Sequence, residues 1–586
     1  MVRRSTLPLA VAVLTAVCFL PAVSGSFLNW DDGVNFLENR AYRGLGREQI
    51  RWAFTSVLFG HYIPLSRLTF SLNYVLGGMN PWGYHLVNVL LHGINAALFY
   101  VVARRLLAAA WGAGRQDGRS LSAAAAVAAL VFGVHPLRVE PVAWITGRPD
   151  VLCATFVLLS TWAYLRAVEG PGPARRGLLL ASAAALAAAL LSKGAALPFS
   201  AALLLLDVYP LRRLPRLGWW ALVREKIPFF VVTLAAALMI VFAVRHGAVV
   251  TRADEYGALA RLTVAAYSFV VSAVRFIWPA AWSPLYEMPA HVTPLEPRFG
   301  LAVGAALLVT AVLIVLRRRW PAGLAAWTFS ALMLAPLSAA VRKTADLAPD
   351  RYSYLAGLGF AVLGGAAVLG VIRLVRLGAL ARPVAWAAAV AGVAAIAGLG
   401  ATSWSLSEIW RESETLWRWA VELDPACSIC HGKLGESILG GPGAALRAAE
   451  AEGLFRRAIA LRPDLPKPYF NLGTALIVQG RYAEAESPLW SYMERVPWTA
   501  AGPERLGRLY LLQKRYAEAI PHLRTAVIRK SDTPGLRSYL AEALQGRARE
   551  LHATGLGTEA EPLLAEARAL EQDDAPPPGK LLEPGE

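Results

Sequence analysis

Two adjacent carboxylates, Asp31 and Asp32, stand in FLNWDDGVNFLENR directly after an apolar run. An ionised side chain at a membrane boundary is costly unless it is solvated or put to use. The use that fits a carboxylate here is general-base work: taking the proton of an attacking hydroxyl, an effect of about 10² to 10⁴-fold in rate. Such a base needs cations to hold the group that leaves. Candidates lie further along the chain. His135, Arg138 and Arg148 occur in HPLRVEPVAWITGRPD, Lys193 in LLSKG, and Arg342, Lys343 and Arg351 in RKTADLAPDRYSY. Whether they meet Asp31 and Asp32 depends on which side of a membrane each segment occupies.

The 586 residues are 56% hydrophobic and 17% charged, and the apolar ones come in long blocks separated by short arginine-bearing loops. That pattern defines a multispanning helical membrane protein. The formal charge of +17 comes without a basic patch interleaved with aromatics, so it is read as loop arginines that set orientation and not as nucleic-acid binding. Cys18 and Cys153 lie inside apolar runs, where they pack as small hydrophobes. Arginine outnumbers lysine, alanine is abundant and no Asn-x-Ser/Thr sequon occurs, which points to a bacterial inner membrane.

MVRRSTLPLAVAVLTAVCFLPAVSG is expected to stay as an uncleaved first helix with its arginines cytoplasmic, sending Asp31 and Asp32 outside. Requiring an arginine-bearing cytoplasmic loop after every second crossing gives about eleven spans. The segment LTVAAYSFVVSAVRFIWPAAW breaks the parity and is read as an interfacial or re-entrant helix, with Arg275 snorkelling or facing a cavity. Residues 1–404 are then an all-α polytopic domain that gathers the carboxylates and cations above on its outer face.

From residue 405 the composition turns polar. Leu472-Gly473 recurs as Leu506-Gly507, and Arg481-Tyr482 as Arg515-Tyr516, each 34 residues on. This is the tetratricopeptide period, in which paired helices stack into a solenoid that presents a surface to partners. The array is placed at 405–570, in a periplasm or lumen, and 571–586 is read as a disordered tail. CSICH, Cys427 to His431, leaves three readings open: covalent haem attachment, an i,i+3 cysteine pair, or ordinary packing in the opening turn of a repeat helix.

Outer-face carboxylates with cations suit transfer of a sugar from a lipid-linked phosphate to an acceptor hydroxyl. The carboxylate acts as base, and the cations hold the phosphate as the sugar leaves. The lipid tail delivers the donor, and the sequence has no Gly-rich phosphate loop. Each residue also has a structural reading: Asp31 or Asp32 as a helix cap, His135 as the end of a span, and Lys193 and the arginines as snorkelling groups. At the level of the chain, one alternative is a non-enzymatic anchor that presents the repeats as a scaffold for envelope complexes. Another is transport of lipid-linked sugars, but the spans are mostly bare Ala, Leu and Val.

NWDD before a long loop, GYHLVNVLLHGINAALFY, HPLRVEPVAWITGRPDVL, LLSKG, WSPLYE, DRYSYL and WRESETLWRWAVELDP occur in an order that resembles the transmembrane and tetratricopeptide-repeat family, within the C-type superfamily of membrane glycosyltransferases. The resemblance implies a polyprenyl-phosphate-sugar donor, often mannose, and a protein acceptor recruited by the repeats. It also implies that Asp31 or Asp32 is the base, with His135, Lys193, Arg351, Arg138 and Arg148 as candidates for holding donor phosphate. No cofactor or resident metal is expected, although the carboxylates are of the type that holds a hard divalent cation. Where relatives commonly have Ser-Lys-Glu, this chain has Ser192, Lys193 and Gly194, so the acid that would steady Lys193 is missing from its usual place.

Overall fold

The computed structural model describes residues 6–574 except 59, 113–116, 171, 173, 247–256, 281, 290, 338–345 and 530–534. Among these residues the fold is all-α, and the chain divides into two compact units, Met1–Trp419 and Ala420–Glu586. The expected boundary at 404/405 falls inside the last long apolar helix, which continues to Ile409.

The first unit is a multi-pass membrane domain. Among the described residues, eight helices are long and apolar enough to cross a bilayer, or nine if the bent pair Gly118–Gly133 and Pro136–Ala143 is one span. Length alone therefore gives fewer than the eleven crossings expected. Three segments counted as spans are shorter apolar helices, Thr6–Cys18, Gly194–Val208 and Pro321–Leu334, because prolines at 21, 198 and 321 end, interrupt or start them. Ala258–Ile277, read as interfacial, passes the same length test. Its C-terminal half touches one short segment. Ser268 donates to the Leu347 carbonyl at 2.5 Å and Arg275 to the Ala348 carbonyl at 3.0 Å.

Small residues let these helices approach closely. A Cβ at Gly133 would lie 2.4 Å from Thr15 Oγ1, and one at Gly365 would lie 2.5 Å from the Ala124 carbonyl oxygen. The polar residues of α4 (Pro81–Trp111), namely His85, Asn88, His92 and Asn95, recur at helical spacing and are all fully buried. Three of them serve as internal fasteners: Asn88 donates to the Trp144 carbonyl at 3.0 Å, His92 bridges Tyr354 at 2.7 Å and the Gly133 carbonyl at 2.8 Å, and Asn95 donates to the Val151 carbonyl at 2.8 Å.

Among the described residues the second unit holds four helix pairs: α18 (Ser428–Gly440) with α19 (Ala444–Leu461), α20 (Lys467–Val478) with α21 (Tyr482–Arg495), α22 (Ala501–Leu512) with α23 (Tyr516–Arg529), and α24 (Leu536–Ala553) with α25 (Gly557–Asp574). The glycine of each Leu-Gly pair sits where two helices meet. A Cβ at Gly435, Gly473 or Gly507 would come within 2.6 Å of Phe455, 2.6 Å of Leu489 and 2.5 Å of Leu523 respectively. The period extends to charges, with Arg481 paired to Glu452 and Arg515 to Glu486. Cys427 and Cys430 are joined in a disulfide, which takes up both sulfurs that a haem thioether would need. The last helix covers 571–574, the first residues of the expected tail, and 575–586 lie outside the described residues.

Candidate active site

The loop after the first helix is fixed at several points. Ser26 N donates to the Arg411 carbonyl at 2.8 Å, Asn29 N to Ser413 Oγ at 2.9 Å, and Trp417 Nε1 to Asn29 Oδ1 at 2.6 Å. Trp30 stacks on Trp144 at 4.9 Å and faces Trp417 at 5.1 Å. After Asp32 the chain makes one π-helical turn, Gly33–Leu37, a form of turn that recurs at functional sites. Asp32 does not cap that turn with its side chain. Its carboxylate reaches backwards and sideways instead, accepting from Leu28 N at 2.9 Å and Thr146 Oγ1 at 2.5 Å.

Asp32 is wholly buried. Burial pushes its carboxyl up to about 7, against the lowering effect of the bonds from Thr146 and Leu28. Asp31 instead lines an open cleft. Lys193 and Arg351 line the same cleft, with Asn35, Asn39, His61, Arg67, Trp144 and Tyr352. The adjacent carboxylates therefore differ in position: one faces the cleft and its neighbour is built into the wall behind it.

Lys193 and Arg351 are held by carboxylates from elsewhere in the fold. Lys193 Nζ lies 2.5 Å from Asp150 Oδ2, and Asp150 comes from the first turn of α7 (Arg148–Val168). Gly194 therefore does not leave the lysine unsupported, because the acid arrives from another helix. Arg351 pairs with Glu140 through its side chain and also donates its backbone N–H to Glu140 Oε2 at 2.8 Å. Trp144 and Tyr352 lie within 5.5 and 5.1 Å of its guanidinium.

Three expected donor-binding residues are not in the cleft. Arg148 is fully buried and donates to Asn88 Oδ1 at 2.8 Å, Asn73 Oδ1 at 2.6 Å and the Tyr84 carbonyl at 2.8 Å, so its hydrogen-bonding is directed inward, to helix packing. His135 caps the turn that follows it, accepting from Leu137 N at 3.2 Å, and stacks on Phe276 at 4.7 Å. Arg138 is fully buried between Phe132 and Tyr354. Arg275 pairs with Asp350 at 3.1 Å and lies 3.5 Å from the Tyr286 ring centroid. Arg342 and Lys343 lie outside the described residues.

Asp150, Glu140 and Thr146 were not assigned roles from sequence. The first two stood in the HPLRVEPVAWITGRPD stretch with no mark of which cation each would meet. Among the described residues no three His, Cys, Asp or Glu side chains converge as metal ligands would.

No protein-family model matches the chain. Protein O-mannosyl-transferase TMTC4 of Mus musculus is 34% identical over 174 residues, 28% of this chain and 23% of that protein. Protein O-mannosyl-transferase TMTC2 of Homo sapiens is 37% identical over 155 residues, 26% of this chain and 17% of that protein. The chain thus spans less than a quarter of the length of these curated relatives. Among solved structures, ArnT from Cupriavidus metallidurans bound to undecaprenyl phosphate aligns over 84% of this chain and 80% of its own, with 18% identity and a TM-score of 0.38. That superposition is not close enough to define the fold.

Proposed function

We propose that the protein is a membrane glycosyltransferase that moves a sugar, mannose in the simplest case, from a polyprenyl phosphate to an acceptor hydroxyl on protein. The observation that carries this reading is the convergence of Asp31, Lys193 and Arg351 on one open cleft in a multi-pass membrane domain. The names of the curated relatives, protein O-mannosyl-transferases, support the same class of transfer. Asp31 takes the acceptor proton as the acceptor oxygen bonds to the anomeric carbon. The bond from that carbon to the phosphate oxygen breaks on the opposite side, and its electron pair goes to the phosphate. The configuration inverts. The cations of the cleft stabilise the charge that grows on the leaving phosphate, and Asp32 fixes the loop that aims Asp31.

The reaction is placed on the non-cytoplasmic face. Supporting this, residues 411–417, the chain's exit from the first unit, are hydrogen-bonded to the loop that carries Asp31. Cleft and repeat array then address one compartment, and the array recruits the acceptor. The donor is the point to test. Purified full-length protein is given an acceptor peptide pool and either polyprenyl-phosphate mannose or a nucleotide-activated mannose. Transfer from the lipid-linked donor alone is expected. Turnover of the nucleotide sugar, or of neither donor, contradicts the assignment.

A further inference from the structure

Donor phosphate brings negative charge into the cleft, and more of it as the sugar departs, yet Lys193 and Arg351, the two of the cations picked out from sequence that line the cleft, are already paired. Asp150 faces Lys193 at 2.5 Å, and Glu140 binds Arg351 twice. Arg67, from the first turn of α3 (Pro64–Gly77), also lines the cleft and is only 4% exposed. Its protein acceptors are three neutral backbone carbonyls: Ala53 at 3.4 Å and Ser56 at 2.6 Å from Nη1, and His61 at 3.1 Å from Nη2. Its guanidinium lies 5.1 Å from the Trp52 ring centroid. Among the described residues no carboxylate forms an ion pair with it. A guanidinium carries five N–H groups, so three carbonyl bonds leave donors over, and its charge is the one in this group that the protein does not neutralise.

Arg67 is also tied to the segment bearing Lys193. The hydroxyl of Ser66, its immediate neighbour, donates to the carbonyl of Ser192 at 3.0 Å in the interior, so the residues before Arg67 and Lys193 are linked. Resting on the lipid-phosphate reading above, we propose that Arg67 binds the phosphate of the donor, and that Lys193, held by Asp150, is a fixed wall of the same subsite. During transfer the anomeric C–O bond breaks towards the phosphate. The resulting extra negative charge is met by Arg67, while the acceptor proton goes to Asp31.

Arg67 also closes off the carbonyls around the end of α2 (Arg47–Thr55), so a purely structural role must be separable. Wild type, Arg67→Lys and Arg67→Gln full-length protein in nanodiscs are titrated with undecaprenyl phosphate and, separately, with the uncharged alcohol undecaprenol. The expected result is at least tenfold weaker phosphate binding in R67Q, partial rescue in R67K, and undecaprenol binding unchanged in all three. Phosphate affinity of R67Q within twofold of wild type overturns the role of Arg67 and leaves the transferase reading standing. Equal loss of both ligands assigns Arg67 to structure alone. Wild type that prefers the alcohol, or binds both equally, overturns this proposal and the lipid-phosphate reading together.

Discussion

At Asp31 and Asp32, neighbours in sequence occupy opposite sides of a cleft wall, and their substitutions should differ in kind. Asp32 accepts two hydrogen bonds in the interior, and replacing one buried partner costs about 1–3 kcal/mol. Asp32→Asn therefore lowers thermal stability, as differential scanning fluorimetry in detergent would read, whereas Asp31→Asn does not. The pH dependence has a defined sign. The carboxyl of Asp32 keeps its proton to about 7 in the folded protein but releases it near 4 in an unfolded chain. Unfolding between those values releases a proton, so this group's contribution to stability falls as pH rises from 4 through 7. The melting midpoint of wild type should drop over that window by more than that of D32N, and equal slopes would remove Asp32 from the effect. At this scale the sequence was legible in part. The residue types announced a base and cations, but burial and partner choice are tertiary facts. Nothing local in HPLRVEPVAWITGRPD distinguishes Asp150 and Glu140, which serve the cleft, from Arg148, which faces the packing.

Among the elements, periodicity carried most of the information. The 34-residue spacing of Leu-Gly pairs located helix contacts that the structure shows at Gly473 and Gly507. Adding a methyl where a Cβ would stand 2.6 Å from Leu489 or 2.5 Å from Leu523 is overpacking, which costs about 1–3 kcal/mol. Gly473→Ala and Gly507→Ala should each lower the melting transition of the repeat unit. An exposed-site control, Gly453→Ala, with no atom within 4 Å of its Cβ, should not. Apolar-run counting was less complete for the membrane helices, because proline divides some runs into pieces shorter than a bilayer, and Ala258–Ile277, read as interfacial, is long and apolar enough to cross. A cysteine placed at Leu262 or Ile277, both more than 60% exposed, tests that helix. If it lies at the interface, a membrane-impermeant thiol reagent added from one side labels both; labelling of the two from opposite sides would show a crossing.

Taken whole, the molecule joins a multi-pass helical domain to a solenoid of helix pairs, and the proposed chemistry requires the cleft and the array to face one compartment. Composition and arginine placement made the membrane class and the two-part plan readable, since both are averages over many residues. The cleft depends on a few side chains drawn from segments up to 320 positions apart, from Asp31 to Arg351, and no local pattern encodes such a meeting. The central claim is that Asp31 is the base of a lipid-phosphate sugar transfer. It is tested most directly by single-turnover release of polyprenyl phosphate from polyprenyl-phosphate mannose in the presence of acceptor peptide, comparing wild type with Asp31→Asn after both are shown to be folded. Loss of a general base predicts a rate about 10² to 10⁴-fold lower in D31N with donor binding retained, and a D31N rate within a few-fold of wild type would contradict it.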